Sequence, residues 1–153
     1  MGNTQQPSEQ FMKPSAIERA FNRAFGFLVK MGLGLKHNYL LEVRGRKSGR
    51  VYSTPVNALD LDGKRYLVAP RGYTQWVKNA VASGEITLVK GGRREKYRLR
   101  PVADEAKPGI LKAYLDRFKT TVQRYFPIPA SSSAAAFEPL ANRYPVFEMI
   151  ADK

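Results

Sequence analysis

Cysteine is absent from all 153 residues, which excludes disulfide cross-links, thiolate metal sites and cysteine nucleophiles. Histidine occurs once, at His37, without a partner motif for a metal, and no serine, histidine and carboxylate set assembles into a nucleophilic triad. Acid is scarce: 13 Asp and Glu stand against 26 Lys and Arg, for a formal net charge of +13. That excess concentrates polyanions around the protein and keeps nucleic acid, acidic lipid and multiply charged cofactors open as ligands. No uninterrupted apolar run is long enough to span a membrane. The opening Met1-Gly2-Asn3-Thr4 also lacks the charged start and apolar stretch of a secretory signal, so cytoplasmic residence is the expectation. Without an obvious protein acid or base, the chain reads as a binding protein or as an enzyme whose cofactor carries the chemistry.

Residues 1–15 read as a flexible lead-in, and 16–153 as a single domain. Ile17, Phe21, Ala24, Phe25, Leu28 and Met31 recur at helical period, with Arg19, Arg23 and Lys30 on other faces. This basic amphipathic helix suits docking onto the domain or a partner chain, and an anionic membrane surface is its second reading. Leu40 to Val43, Val51 to Leu61, Arg65 to Val68, Ile86 to Val89 and Lys96 to Leu99 read as strands, with turns at Asp62-Gly63 and Gly91-Gly92. Gln75 to Ala82 reads as a short crossing helix and Glu105 to Tyr125 as a late one, ended by Phe126-Pro127-Ile128-Pro129. Many short strands joined by tight turns predict a mainly β fold with flanking helices, closed into a small antiparallel barrel.

Two segments carry chemistry. Arg44-Gly45-Arg46-Lys47-Ser48-Gly49-Arg50 follows a strand and places cations and a hydroxyl on a glycine-bracketed turn, a donor set for phosphate. An ordinary basic hairpin turn explains that spacing equally well, and neither a Walker loop nor a dinucleotide fingerprint is present. Ala69-Pro70-Arg71-Gly72 leads into Trp76, the sole tryptophan, which could cover an aromatic ring or sit in the core. Together the segments suggest a site for a flat, phosphorylated organic molecule. Lys90, Arg93, Arg94, Lys96, Arg98 and Arg100 surround a turn with Glu95 as the nearby acid. They read as a solvated sheet face or as a track for a nucleic-acid backbone.

Over approximately Leu35 to Ile150 the chain resembles the deazaflavin-dependent nitroreductase family. The resemblance rests on Leu40-Leu41-Glu42-Val43-Arg44-Gly45-Arg46-Lys47-Ser48-Gly49, Ser53-Thr54-Pro55-Val56, Tyr66-Leu67-Val68-Ala69-Pro70-Arg71-Gly72 and Trp76-Val77-Lys78-Asn79. It implies a split β-barrel of the flavin-reductase and pyridoxamine-phosphate-oxidase type that binds coenzyme F-420, an 8-hydroxy-5-deazaflavin. FMN, used by related barrels, is the alternative cofactor. By the same resemblance Arg46, Lys47, Ser48 and Gly49 hold the phosphate tail, while Pro55, Val56, Val68, Ala69 and Pro70 border the ring. Arg71 and Gly72 lie against the ring and its linker, and Trp76 and Asn79 belong to the crossing segment. The implied reaction is hydride transfer between reduced coenzyme and an electron-poor small molecule such as a quinone, activated enone or nitroaromatic. A carrier or sequestering protein is the non-catalytic alternative, and a nucleic-acid-binding barrel is less favoured.

In the nitroimidazole-reducing member a tyrosine-rich tail covers the substrate site; the comparable run here is Tyr144-Pro145-Val146-Phe147-Glu148-Met149-Ile150. Tyr144 is therefore expected as the catalytic hydroxyl and Tyr144 with Phe147 as the substrate pocket. Phe147 and Ile150 stand where two tyrosines are expected, and neither can donate a hydrogen bond. The resemblance further implies a homodimer and peripheral attachment to anionic membrane at the inner face of the plasma membrane. No metal is implied.

Overall fold

The computed structural model describes residues 38–152. The expected N-terminal helix, His37 and the boundary at residue 15 lie outside the described residues. Six strands, β1 (Asn38–Arg44), β2 (Val51–Leu61), β3 (Lys64–Val68), β4 (Glu85–Lys90), β5 (Arg93–Pro101) and β6 (Val146–Ala151), form one closed barrel in the order β1-β2-β3-β6-β5-β4. Every pairing is antiparallel. The expected strands are present, but β6 was expected only as a tail that packs or covers a site. It pairs Leu67 with Phe147 on one side and Leu99 with Met149 on the other, closing the barrel.

Period-two alternation sends one face of each strand inward. Leu41, Val43, Ala58, Leu67, Ile86, Leu88, Tyr97, Phe147 and Met149 meet in one core. Helix α1 (Gln75–Ser83) adds Val77 and Ala80 to that core and ends on Gly84 in the left-handed region. A second core lies outside the barrel, where Leu59, Val68 and Val146 meet Ile110, Leu111, Tyr114, Leu115, Phe118 and Val122 of α2 (Lys107–Val122). Burying each such aliphatic side chain contributes roughly 1.5 to 3 kcal/mol.

The single helix expected over Glu105 to Tyr125 is divided. A 3-10 turn (Asp104–Ala106) precedes α2, another (Gln123–Tyr125) follows it, and Phe118 has non-helical angles within α2. The bend keeps Val122 and Phe126 in the same core as Tyr114, whose ring meets Phe118 edge-on at 5.2 Å. Pro108 suits the first turn of α2, where its missing N–H costs nothing. Buried Lys107 binds the Asp104 carboxylate at 2.8 Å and the Ala141 carbonyl at 3.1 Å, tying α2 to a 3-10 helix (Ala134–Arg143) that composition alone did not reveal.

Asp116 on α2 accepts the Ser131 N–H at 2.7 Å and the Lys112 ammonium at 3.0 Å, and these bonds hold its carboxyl below the usual range. A depressed carboxyl pKa stabilises the fold once the group is ionised in both states, above about pH 4, and that stabilisation fades as acid protonates the folded form. Asp116→Asn should therefore lower the denaturation midpoint slightly at neutral pH. The gap from the parent protein should shrink as pH falls, as followed by urea melts at several pH values.

The basic strand face was expected to have Glu95 as its only nearby acid. Cross-strand register supplies others: Arg94 pairs with Glu42, Lys96 with Glu85 at 3.5 Å and Arg100 with Glu148 at 3.7 Å. Arg93 pairs with Glu95 at 3.2 Å. A phosphate backbone would have to compete with these carboxylates, so the strip is a poor nucleic-acid track. Asp60 lies on β2 and binds Arg65 of β3 at 2.8 Å.

Candidate functional site

The turn between β1 and β2 is closed by its own backbone. Gly45 N–H donates to the Arg50 carbonyl at 2.6 Å, and Gly49 N–H to the Gly45 carbonyl at 3.0 Å. Gly49 has φ +77°, a left-handed conformation that would cost another residue about 1 kcal/mol. At Gly45 a Cβ would fall 2.6 Å from the Tyr52 ring. Arg44 reaches back to the Gly49 carbonyl at 2.6 Å, and Ser48 Oγ accepts the Arg50 N–H at 3.1 Å. Lys47, Ser48 and Gly49 are exposed along the turn.

Arg46 fastens this turn to α1. Its backbone N–H and Nη1 donate to Asn79 Oδ1 at 3.0 and 2.7 Å, and Nη2 donates to Gln75 Oε1 at 3.1 Å. Buried Asn79 therefore braces the basic turn, and Gln75 directly precedes Trp76. The two segments singled out in the sequence meet through these bonds.

Trp76 lines a cavity of about 360 Å³. One wall is β2, through Thr54, Pro55, Val56 and Asn57, beside Asn38 of β1. A second is the end of β3 and its loop, through Val68, Ala69, Pro70, Arg71 and Thr74. The third is Tyr114, Thr121 and Val122 of α2, continued by Arg124 and Tyr125. Thus Pro55, Val56, Val68, Ala69, Pro70, Arg71 and Trp76 share one cavity. Gly72 supports it from behind, at φ +87°, by donating to the Ala69 carbonyl at 3.1 Å.

Tyr144 and Phe147 are placed elsewhere. Phe147 points into the barrel core from β6, because its register with Leu67 makes it an inward residue. Tyr144 stacks on Phe126 at 4.5 Å, is buried, and donates its hydroxyl to the Tyr125 carbonyl at 2.6 Å. Neither lines the cavity. The phenols that do are Tyr114 and Tyr125, which the sequence reading placed within and at the end of the late helix. Tyr125 was legible as a tyrosine just before the Phe126-Pro127 break, but nothing in its spacing marked it as functional. Its hydroxyl accepts from Arg124 Nη2 at 2.7 Å, and the guanidinium also lies 4.8 Å from its ring centre.

The walls suit a planar aromatic ring, being largely apolar with a few polar atoms. Thr74 Oγ1 is buried without a protein partner among the described residues, an arrangement that costs roughly 1 to 3 kcal/mol unless a ligand meets it. Exposed cations and a hydroxyl on the braced turn suit an anionic tail. The donor set therefore fits a deazaflavin with a phosphate-bearing chain.

Solved structures are similar to this chain, and the first two here share its fold. A chain described as a domain-swapped dimer is 18% identical, with 87% of this chain and 92% of that one covered and a TM-score of 0.52. HutZ, a heme storage protein from Vibrio cholerae, is 6% identical, with coverages of 77% and 83% and a TM-score of 0.54. An F420-H2 dependent reductase (FDR-A) is 18% identical, with coverages of 74% and 94% and a TM-score of 0.49. No curated protein matches. The family model for F420H(2)-dependent quinone reductase matches residues 16–126. Because that span takes in the basic turn, the Pro55 and Val68 walls, the Trp76 helix and the phenols of the third wall, the chain belongs to the F420H(2)-dependent quinone reductase family of deazaflavin oxidoreductases.

Proposed function

We propose that the protein reduces a quinone in the cavity walled by Pro55, Val68 and Trp76, with the coenzyme's phosphate tail on Arg46, Lys47, Ser48 and Gly49. The observation that carries this placement is the set of bonds from Arg46 to Gln75 and Asn79, which joins the phosphate turn to the helix bearing Trp76. When bound, reduced F420 supplies a hydride from the central carbon of its ring to the electron-poor acceptor. The chain's own part is positional: Pro55, Val56, Val68 and Ala69 hold a flat face and exclude water, so that reacting atoms meet in near-attack alignment. The acceptor gains negative charge on oxygen. The Arg124 guanidinium stabilises that charge at the cavity wall, and Tyr125, whose oxygen already accepts from Arg124, keeps its own proton to give. Tyr144 serves as a positioning residue through the Tyr125 carbonyl.

Anaerobic mixing of the protein and reduced coenzyme with menadione tests this function. Coenzyme absorbance should return at a rate that saturates with menadione, and FMN should not substitute. Oxidation no faster than without protein would overturn it.

Homodimerisation, cytoplasmic residence and attachment to an anionic membrane belong to the same reading. The dimeric solved relative supports the first, and the net charge of +13 supports the last, because basic surfaces gain affinity from acidic lipid.

A further inference from the structure

The cavity and the basic turn lie at two points along one strand face. Thr54 and Val56 line the cavity, and period-two alternation puts Tyr52 on their face of β2, about 7 Å beyond Thr54 toward the turn. Tyr52 is 48% exposed, so a ligand can reach it. Its ring is nonetheless seated. A Cβ at Gly45 would fall 2.6 Å from Tyr52 Cε2, so the ring rests on glycine backbone that any side chain at position 45 would push it from.

The hydroxyls at this seat are loosely engaged. Tyr52 Oη lies 3.3 Å from Ser48 Oγ, beyond the roughly 2.5 to 3.0 Å of an ordinary hydroxyl bond. Ser48 Oγ also accepts the Arg50 N–H at 3.1 Å, which holds the serine oxygen in place without using its proton. Two O–H groups therefore share one long contact, and that contact takes a single proton. At least one is left to give, and both are if the contact opens. Meanwhile Arg44 and Arg46 direct guanidinium N–H groups back into the fold, to the Gly49 carbonyl and to Asn79 and Gln75. Neutral donors beside exposed Lys47 are thus well placed to complete an anion site.

We propose that Tyr52 is a further coenzyme-binding residue, whose hydroxyl turns from Ser48 to donate, together with the serine, to oxygens of the phosphate. This rests on the reading that the tail lies on the basic turn. A molecule with its ring in the cavity and its phosphate at Lys47 passes Tyr52 on the shared face of β2. Gly45 gives the phenol its position, and the long contact to Ser48 costs little to surrender.

The test is Tyr52→Phe in the full chain, which removes the hydroxyl and keeps the ring on Gly45. Oxidised coenzyme and 8-hydroxy-5-deazariboflavin, the same ring without phosphate, are titrated by their own fluorescence. The variant should bind the coenzyme about 3- to 10-fold more weakly and the phosphate-free ring as the parent does, with an unchanged denaturation midpoint. The loss should persist in added salt, since screening acts on separated charges more than on a short hydroxyl bond. Unchanged coenzyme affinity would overturn the proposal, and so would an equal loss for both ligands. Lys47→Ala in the same titration separates this failure from failure of the underlying reading. Weaker coenzyme binding in Lys47→Ala alone leaves the tail on the turn without Tyr52, whereas no loss in either variant removes the tail from the turn.

Discussion

Phe137→Ala should lower the unfolding free energy by about 3 to 5 kcal/mol, read from chemical denaturation, and should raise the KM for menadione in the protein that remains folded. Phe137 is fully buried in the core outside the barrel, on the 3-10 helix (Ala134–Arg143). Its ring meets Phe126 edge-on at 6.1 Å, Phe126 stacks on Tyr144, and the Tyr144 hydroxyl holds the Tyr125 carbonyl. Truncation leaves a cavity at the start of this series, so the cavity wall bearing Tyr125 loses its backing. Because the basic turn is braced by α1 and not by this aromatic series, coenzyme affinity should change much less than KM. Equal losses of both would show that the two ends of the site are not mechanically separate.

Lys47→Ala should weaken coenzyme binding about 10- to 100-fold, the range for losing a charge-assisted contact to phosphate, with a denaturation midpoint near that of the parent. Lys47 is exposed and is not part of the bonding that closes the turn, so little of the fold depends on it. Arg46→Ala is the informative contrast. Its guanidinium and backbone are joined to Gln75 and Asn79, so the same titration should lose affinity while the melt also shifts. The Lys47 effect should shrink with added salt, since screening weakens exposed charge pairs. Unchanged affinity in Lys47→Ala would remove the lysine from the phosphate site.

Much of the fold was legible because local chemistry dictates it. Alternation gave β2 its observed bounds, Val51–Leu61, and Gly84 ends α1 just beyond the run read as helical. The strand at Val146–Ala151 was harder to see, since VFEMIA lacks clean alternation when both of its faces are largely covered. The 3-10 helix containing Phe137 was hidden by its composition; Ser131-Ser132-Ser133-Ala134-Ala135-Ala136 carries no period, and tertiary packing on α2 decides its form.

The candidate site divided along the same line. Contiguous motifs such as Pro55-Val56 and Val68-Ala69-Pro70 line one cavity, whereas Asn38, Asn57, Thr74 and Tyr114 are single residues from four separate segments. Only the barrel register, which sets Asn38 opposite Asn57, joins the first two by a hydrogen bond. Tyr144 was matched by its order in the aromatic tail; it lies outside the cavity lining, with its hydroxyl on the Tyr125 carbonyl.

Closure by β6 also governs when this protein is safe from its neighbours. Until Val146–Ala151 inserts, β3 and β5 each present an unpaired edge, and such edges recruit other chains into intermolecular sheets. The pairing of Leu67 with Phe147 spans a long stretch of sequence, so it is among the slower contacts to form. Aggregation during synthesis is thus a hazard of this topology, concentrated in the interval before the last strand docks.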